Sequence, residues 1–252
     1  MNNFEQIKNN IYISNSDCLE TMKIIPDKVI DLILTDLPYG VLNKTKNKWD
    51  VQLPFELLWG QYERIIKDRG AIVLFGSGMF TADLMKSNSK LWKYNLIWKK
   101  GDKCSGFLNA RRCPLRNHED ICVFYKKLPI YNPQMEKVGW DKKNHSTGKK
   151  QEMTNNCYGN FTKVEPIMSD EKFPKSIINI PPEHKDFYHP SQKPVALLEY
   201  LIKTYTNENM VVLDSCMGSG STGVACINTN RIFIGIEQEL KYYNIAKQRL
   251  EK

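Results

Sequence analysis

The chain has 252 residues, 41% of them hydrophobic, with 5 Trp, 12 Tyr and 10 Phe, which supplies a large core and excludes a disordered chain. Lys plus Arg is 36 against 28 Asp plus Glu, a net charge of +8, and this balance on a folded domain favours a polyanionic partner. The opening MNNFEQIKNN lacks the apolar stretch of a secretory signal, and no run approaches the roughly 18 apolar residues of a membrane helix. Seven scattered cysteines without a CxxC pair suit a reducing cytoplasm, which is the expected location. The stretch holding Cys104, Cys113, His118 and Cys122 lacks the ~2–4 residue spacing of zinc-ligand pairs, so free thiols, a structural His118 and no metal are expected.

In chain order, Val29–Thr35 reads as a buried strand. Pro54 to Lys67 follows as an amphipathic helix with Phe55, Leu58, Tyr62 and Ile65 on one face, Pro54 in its first turn and Gly70 as its C-terminal cap. Ala71–Phe75, Leu96–Trp98 and Ile121–Tyr125 are further strands. The stretch Lys126–Tyr188 is polar and rich in Lys and Asn, and a structureless loop of that length does not fit a compact domain, so it reads as an insert. A helix over Pro194–Tyr205, a strand over Val211–Leu213, a helix from Ser221, a strand over Ile232–Ile236 and a helix over Gln238–Leu250 complete the chain. Strands alternating with helices predict an α/β fold, a mostly parallel sheet flanked on both faces.

Two segments carry chemistry. Val211–Asp214 runs into Ser215–Cys216–Met217–Gly218–Ser219–Gly220, then a helix, then a strand ending at Glu237. Glycines let the chain turn and a ligand approach, and an acid about 20 residues on accepts bonds from ribose hydroxyls, so the segment points to an adenosine-containing cofactor. No GxxxxGK[ST] is present, which excludes that ATP site, whereas Gly218–x–Gly220–x–x–Gly223 keeps a dehydrogenase open at this point. The strand Val29–Thr35 runs into Asp36–Leu37–Pro38–Tyr39–Gly40. Pro38 makes Leu37 extended, so that its carbonyl is presented beside the Asp36 carboxylate, and Tyr39 adds a flat ring. Two acceptors and a stacking surface match an exocyclic amino group on a nucleobase.

TDLPYG resembles the (D/N/S)PP(Y/F) motif of the amino-methylating DNA methyltransferases. Asp214–Gly220 resembles their DPFxGSG segment, His189–Pro194 their HP(T/S)QKP, Asn117–Phe124 their HE-x-I-x-x-F strand, and Asn15–Leu19 their G-D-x-L-E-like segment. The motif order is that of the β class, and the resemblance covers nearly everything outside Lys126–Tyr188. It departs at Leu37, which replaces a Pro, and at Ser215–Cys216, which replace Pro–Phe and put the packing beside the methionine moiety in doubt.

The resemblance implies a Rossmann-like S-adenosylmethionine-dependent fold with a mixed, mostly parallel sheet. Residues 1–126 and 189–252 would form the catalytic domain and 127–188 the inserted target-recognition region. It implies site-specific methyl transfer to N6 of a flipped-out adenine, with cytosine N4 as the alternative target; a dehydrogenase or a catalytically silent DNA-binding protein are the readings from other classes. Asp36, Leu37, Pro38 and Tyr39 would be catalytic. Asp17, Cys18, Asp36, Ser191, Lys193, Asp214, Gly218, Ser219, Gly220, Glu237 and Gln238 would bind the cofactor. In particular, Glu237 would take the ribose hydroxyls, Asp17 the adenine amine, and Ser191 and Lys193 the methionine carboxylate. Lys44, Lys46, Lys48, Trp49, Arg111, Arg112 and Arg116 are expected on DNA, and Asn155, Asn156 and Asn160 are candidates for base readout. A homodimer and a cognate restriction endonuclease are compatible with the family; a membrane is not.

Overall fold

The apolar runs are continuous because the sheet they form is covered on both faces. The structure, a computed structural model, describes residues 4–41, 50–137, 170–183 and 188–252. The elements are β1 (Glu5–Lys8), β2 (Ile11–Asn15), α1 (Cys18–Met22), β3 (Ile30–Thr35), α2 (Phe55–Ile65), β4 (Ile66–Gly76) and α3 (Met79–Ser87). They continue with β5 (Trp92–Lys99), β6 (His118–Phe124), β7 (Glu136–Lys137), β8 (Glu171–Lys172), β9 (Ile177–Asn179), α4 (Val195–Tyr205), β10 (Val211–Asp214), α5 (Ser221–Asn228), β11 (Ile232–Glu237) and α6 (Leu240–Glu251). Alternate residues feed two cores. Leu32, Leu34, Val73 and Phe75 face the side of α4, α5 and α6, with Leu197, Leu201, Ala225 and Ala246. Ile33, Ile72 and Leu74 face the side of α1, α2 and α3, with Met22, Leu58, Tyr62 and Leu84. This period of two inside an all-apolar run is the pattern of strands buried on both faces.

Residues Met1–Asn132 and Lys175–Lys252 form one compact unit, and Pro133–Pro174 a second. In the second, β7 and β8 pair antiparallel with Glu136 opposite Lys172 and Lys137 opposite Glu171. In the first, one sheet has the order β1-β2-β11-β10-β3-β4-β6-β5-β9. β2, β11, β10, β3 and β4 run parallel in sequence of neighbours; β1, and β6 against both β4 and β5, are antiparallel. The sheet is therefore mixed and mostly parallel. From β10 the chain moves through α5 to β11 on one side, and from β3 through α2 to β4 on the other. Order reverses between β3 and β10, and a crevice opens there at the strands' carboxyl ends.

Four features differ from the sequence expectation. The helix over Pro54–Lys67 stops at Ile65, and Gly70 is not its cap but lies within β4. The reason is local: the last helical carbonyls of Arg64 and Ile65 accept from the backbone N–H groups of Lys28 and Val29, so no glycine cap is needed. A Cβ on Gly70 would come within 2.9 Å of the Asp31 carbonyl oxygen. Helix α3 was not expected, since only Phe80, Thr81 and Leu84 of it are buried. The hairpin β1–β2 and the short edge strand β9 were also not expected. Among the described residues no helix is long and apolar enough to cross a membrane.

Candidate active site

Four parallel strands deliver acids to one edge of the sheet. β2 is followed by Asp17, β3 by Asp36, β10 ends at Asp214 and β11 at Glu237. Together they border a cavity of about 820 Å³, within the ~300–1,000 Å³ range of small-molecule sites.

The glycine turn shapes one wall. Gly218 takes φ +52 and Gly220 φ +79, left-handed values that side chains disfavour. The turn is tied to β11: Met217 N donates to Ile236 O at 2.9 Å and Gly218 N to Glu237 Oε2 at 2.8 Å. Glu239 N donates to Glu237 Oε1, also at 2.8 Å. Burial pushes the Glu237 carboxyl up to about 7, against those two N–H groups, with Asp214 adding repulsion. Asp214 is 4% exposed; burial raises it to about 6, opposed by Thr222 Oγ1, which donates to Oδ2 at 2.5 Å, and by Cys216 N at 3.1 Å on Oδ1. Ser215 finds a buried partner in Tyr62 of α2, hydroxyl to hydroxyl at 2.6 Å. The neighbouring Cys18 thiol and burial push the Cys216 thiol well up, which keeps it protonated. Ser215 and Cys216, where the sequence departs from the resembled motif, thus have partners within the protein. Asp17 caps α1, accepting from Glu20 N at 3.0 Å through one carboxylate oxygen.

The opposite wall is a charged cluster. Lys193 Nζ, from the segment before α4, donates to Asp36 Oδ2 and lies 3.4 Å from Glu119 Oε2. Glu119 Oε1 is held by Lys100 Nζ. Tyr39 donates its hydroxyl to Asp36 Oδ1 at 2.8 Å, and its ring stacks on Phe80 with centroids 4.4 Å apart. Lys193 is 7% exposed and Asp36 17%. Burial pushes Asp36 up while Lys193 opposes it. Burial would lower Lys193, but Asp36 and Glu119 outweigh it and keep the ammonium charged. Gly40 N donates to the buried Asp50 at 3.0 Å, fixing the exit of the turn. His189, whose Nδ1 accepts from Ser191 N at 3.2 Å, is lowered to about 4, by burial first and then by Lys193; it is neutral at physiological pH.

Every predicted catalytic and cofactor position lines this cavity except Gly220. That residue packs on α6 instead, where an added Cβ would meet Ala246 Cβ at 2.9 Å. Lys193 engages Asp36 rather than standing apart from it. Arg111, Arg112 and Arg116 do not line the cavity; they are exposed on the connection between β5 and β6. Lys44, Lys46, Lys48, Trp49, Asn155, Asn156 and Asn160 lie outside the described residues. The sequence placed Glu119 in a motif-like strand and Tyr62 on a helix face, but gave Glu119, Lys100, Asp50, Tyr62 and Thr222 no part in the site. Lys100 follows β5 directly, and the β5–β6 pairing sets Glu119 opposite Trp98, which brings the two together.

Removing Lys193 would leave two carboxylates facing each other in a buried site. Lys193→Met should cost about 3–5 kcal/mol in urea unfolding. The neutralised triple variant Asp36→Asn, Lys193→Met, Glu119→Gln should recover most of it. An unchanged midpoint for the single variant would show that the cluster is not an energetic unit.

The DNA methylase family model matches residues 30–248. The type II methyltransferase M.HinfI of Haemophilus influenzae is 30% identical over an alignment 264 positions long that covers 95% of this chain and 68% of that protein. The DNA adenine methyltransferase YhdJ of Escherichia coli is 27% identical over an alignment 253 positions long that covers 95% of this chain and 82% of that protein. The crystal structure of the M1.HpyAVI–SAM complex is 27% identical, covers 95% of this chain and 100% of its own, and superposes with a TM-score of 0.64. The acids at the strand ends, the tetrapeptide after β3 and the glycine turn after β10 are thus parts of one family architecture, and the chain belongs to the DNA methylases.

Proposed function

We propose that the chain is a site-specific DNA methyltransferase that moves a methyl group from S-adenosylmethionine to N6 of adenine. The observation that carries this is the placement of Asp36 and Tyr39 across one cavity from the Gly218 turn and Glu237. S-adenosylmethionine supplies an electrophilic sulfonium methyl. The residues present fit it: Glu237 offers acceptors for two hydroxyls, Asp17 retains a second carboxylate oxygen for an amine, and Ser191 lines the cavity beside the neutral His189.

An exocyclic amine is a poor nucleophile because its lone pair is delocalised into the ring. Asp36 and the Leu37 carbonyl accept its two N–H groups and localise the pair. Each carboxylate oxygen carries two lone pairs, so Asp36 can accept from the base while bonded to Lys193 and Tyr39. Acceptors fixed in advance in a dry site are electrostatic preorganisation. Lys193 and Tyr39 hold the Asp36 carboxylate in place, and Lys193 opposes the upward push that burial gives it. The amine is inaccessible in a duplex, so the base is flipped into the cavity. DNA is the macromolecular partner. The inserted stretch 127–188 carries target recognition in this proposal. A cognate restriction endonuclease, a homodimeric form and a cytoplasmic location complete the reading and rest on likeness to type II relatives.

Transfer of labelled methyl to mixed-sequence DNA, followed by nucleoside mass spectrometry, should give N6-methyladenine, and Asp36→Ala should abolish it with cofactor affinity near normal. N4-methylcytosine as the product would overturn the adenine assignment, and turnover by Asp36→Ala would remove Asp36 from the chemistry.

Glu237 titrates near 7 in the free protein, and hydroxyl donors need its ionised form. Cofactor affinity by calorimetry should therefore weaken about tenfold as pH falls from about 8 to about 6. Glu237→Gln should bind more weakly and lose that slope. A slope retained in Glu237→Gln would place the titration elsewhere.

A further inference from the structure

Between β5 and β6 the chain leaves the sheet and returns, and both stems of this excursion belong to the cavity wall. Trp98, Lys100 and Glu119 line the cavity, and Lys100 N donates to Asn117 O at 2.8 Å. Further out, Ser105 and Arg116 form an antiparallel bridge, N–H to carbonyl at 2.8 and 3.1 Å. The Arg116 guanidinium is braced on Ser77 Oγ at 2.5 Å. From Ser105 to Arg116 every residue is exposed. The tip keeps a defined shape nonetheless. Gly106 turns with φ +91 into a 3-10 turn over Phe107–Asn109, and Asn109 O accepts from Arg112 N at 2.8 Å and Cys113 N at 3.0 Å.

At this tip Phe107 is 68% exposed and Leu108 101%. One exposed leucine is ordinary on a protein surface. Two adjacent large apolar side chains on a braced tip, rooted in the wall of a catalytic cavity, are a different arrangement. Their surroundings are cationic: between Lys99 and Asn117 the chain carries six Lys or Arg and one acid, Asp102. Charge of this kind binds phosphates and selects a polyanion over an apolar protein surface. Turning a base out of a duplex leaves a gap between stacked neighbours, and apolar side chains inserted between base steps are a known way to hold such a distortion.

We propose that Phe107 and Leu108 form an apolar wedge that enters the DNA duplex and holds open the gap left by the target base, with Arg111, Arg112 and Arg116 on the flanking phosphates. The inference rests on the methyltransferase reading above. It gives the loop a task separate from both cofactor binding and chemistry, namely paying the opening cost of a paired base.

The test uses the full chain and its Phe107→Ala/Leu108→Ala variant, in which only exposed side chains are shortened, so the melting temperature should stay the same. The methylated site is first mapped by sequencing DNA treated with the wild-type chain. Two duplexes carrying that site are then compared, one fully paired and one with the target base opposite an abasic position. The variant should lose about 10–100-fold in kcat/KM on the paired duplex and stay within about threefold of wild type on the abasic one, where little opening is required. Wild-type turnover of the paired duplex by the variant would overturn the proposal, and so would an equal loss on both duplexes, which would make the loop a phosphate clamp. No transfer by the wild-type chain to any DNA would instead sink the methyltransferase reading, and the wedge with it.

Discussion

The site depends on two parallel strands lying side by side at the place where sheet order reverses. β3 and β10 pair through Leu32 opposite Val212 and Ile33 opposite Leu213. Their chains then leave in opposite directions, so the turn after β3 and the turn after β10 face each other across an open crevice. Asp31 reinforces this neighbourhood by accepting from Val211 N at 2.9 Å, which ties the start of β10 to β3. Every acid at the edge owes its position to this pairing or to the parallel pairing of β11 and β2 beyond it.

Within the crevice the two walls solve opposite electrostatic problems. On the glycine-turn side the buried Asp214 and the half-buried Glu237 have no cation bonded to them among the described residues and are pushed up to about 6 and about 7. They are stabilised by N–H and hydroxyl donors, a setting suited to hydroxyl and amine groups of a ligand. On the tetrapeptide side Asp36 and Glu119 are balanced by Lys193 and Lys100. Burial pushes the Asp36 acceptor up, and the buried ammonium bonded to it opposes that push. Lys193 joins α4 to the chemistry, since the segment leading into that helix also carries His189 and Ser191.

Much of this was legible in the sequence where local physics decides. Ile30–Thr35 and Ile72–Phe75 announce central strands because both faces are buried, and the Gly218 and Asp36 segments announce turns at strand ends. Elements with little burial left little signal: β1 buries none of its four residues, and α3 has no side-chain cap. The stop of α2 at Ile65 depends on carbonyl partners at Lys28 and Val29, which no helix-end rule applied to Gly70 can reveal. The individual site residues were legible as motifs, but not their electrical connection. Lys193 and Asp36 are 157 residues apart, and Glu119 enters only because β6 folds back antiparallel between β4 and β5. The contact of Lys193 with Asp36 is of this kind, beyond the reach of the motif that placed Lys193 near a ligand carboxylate.

Lys193 belongs to Asp36, and donor and acceptor meet between the two turns. A crystal structure of the chain with S-adenosylhomocysteine should show the ligand in the cavity with its ribose on Glu237 and its adenine beside Asp17, and Lys193 still bridging Asp36 and Glu119. A Lys193 side chain swung onto the ligand carboxylate, with Asp36 released from it, would refute this arrangement.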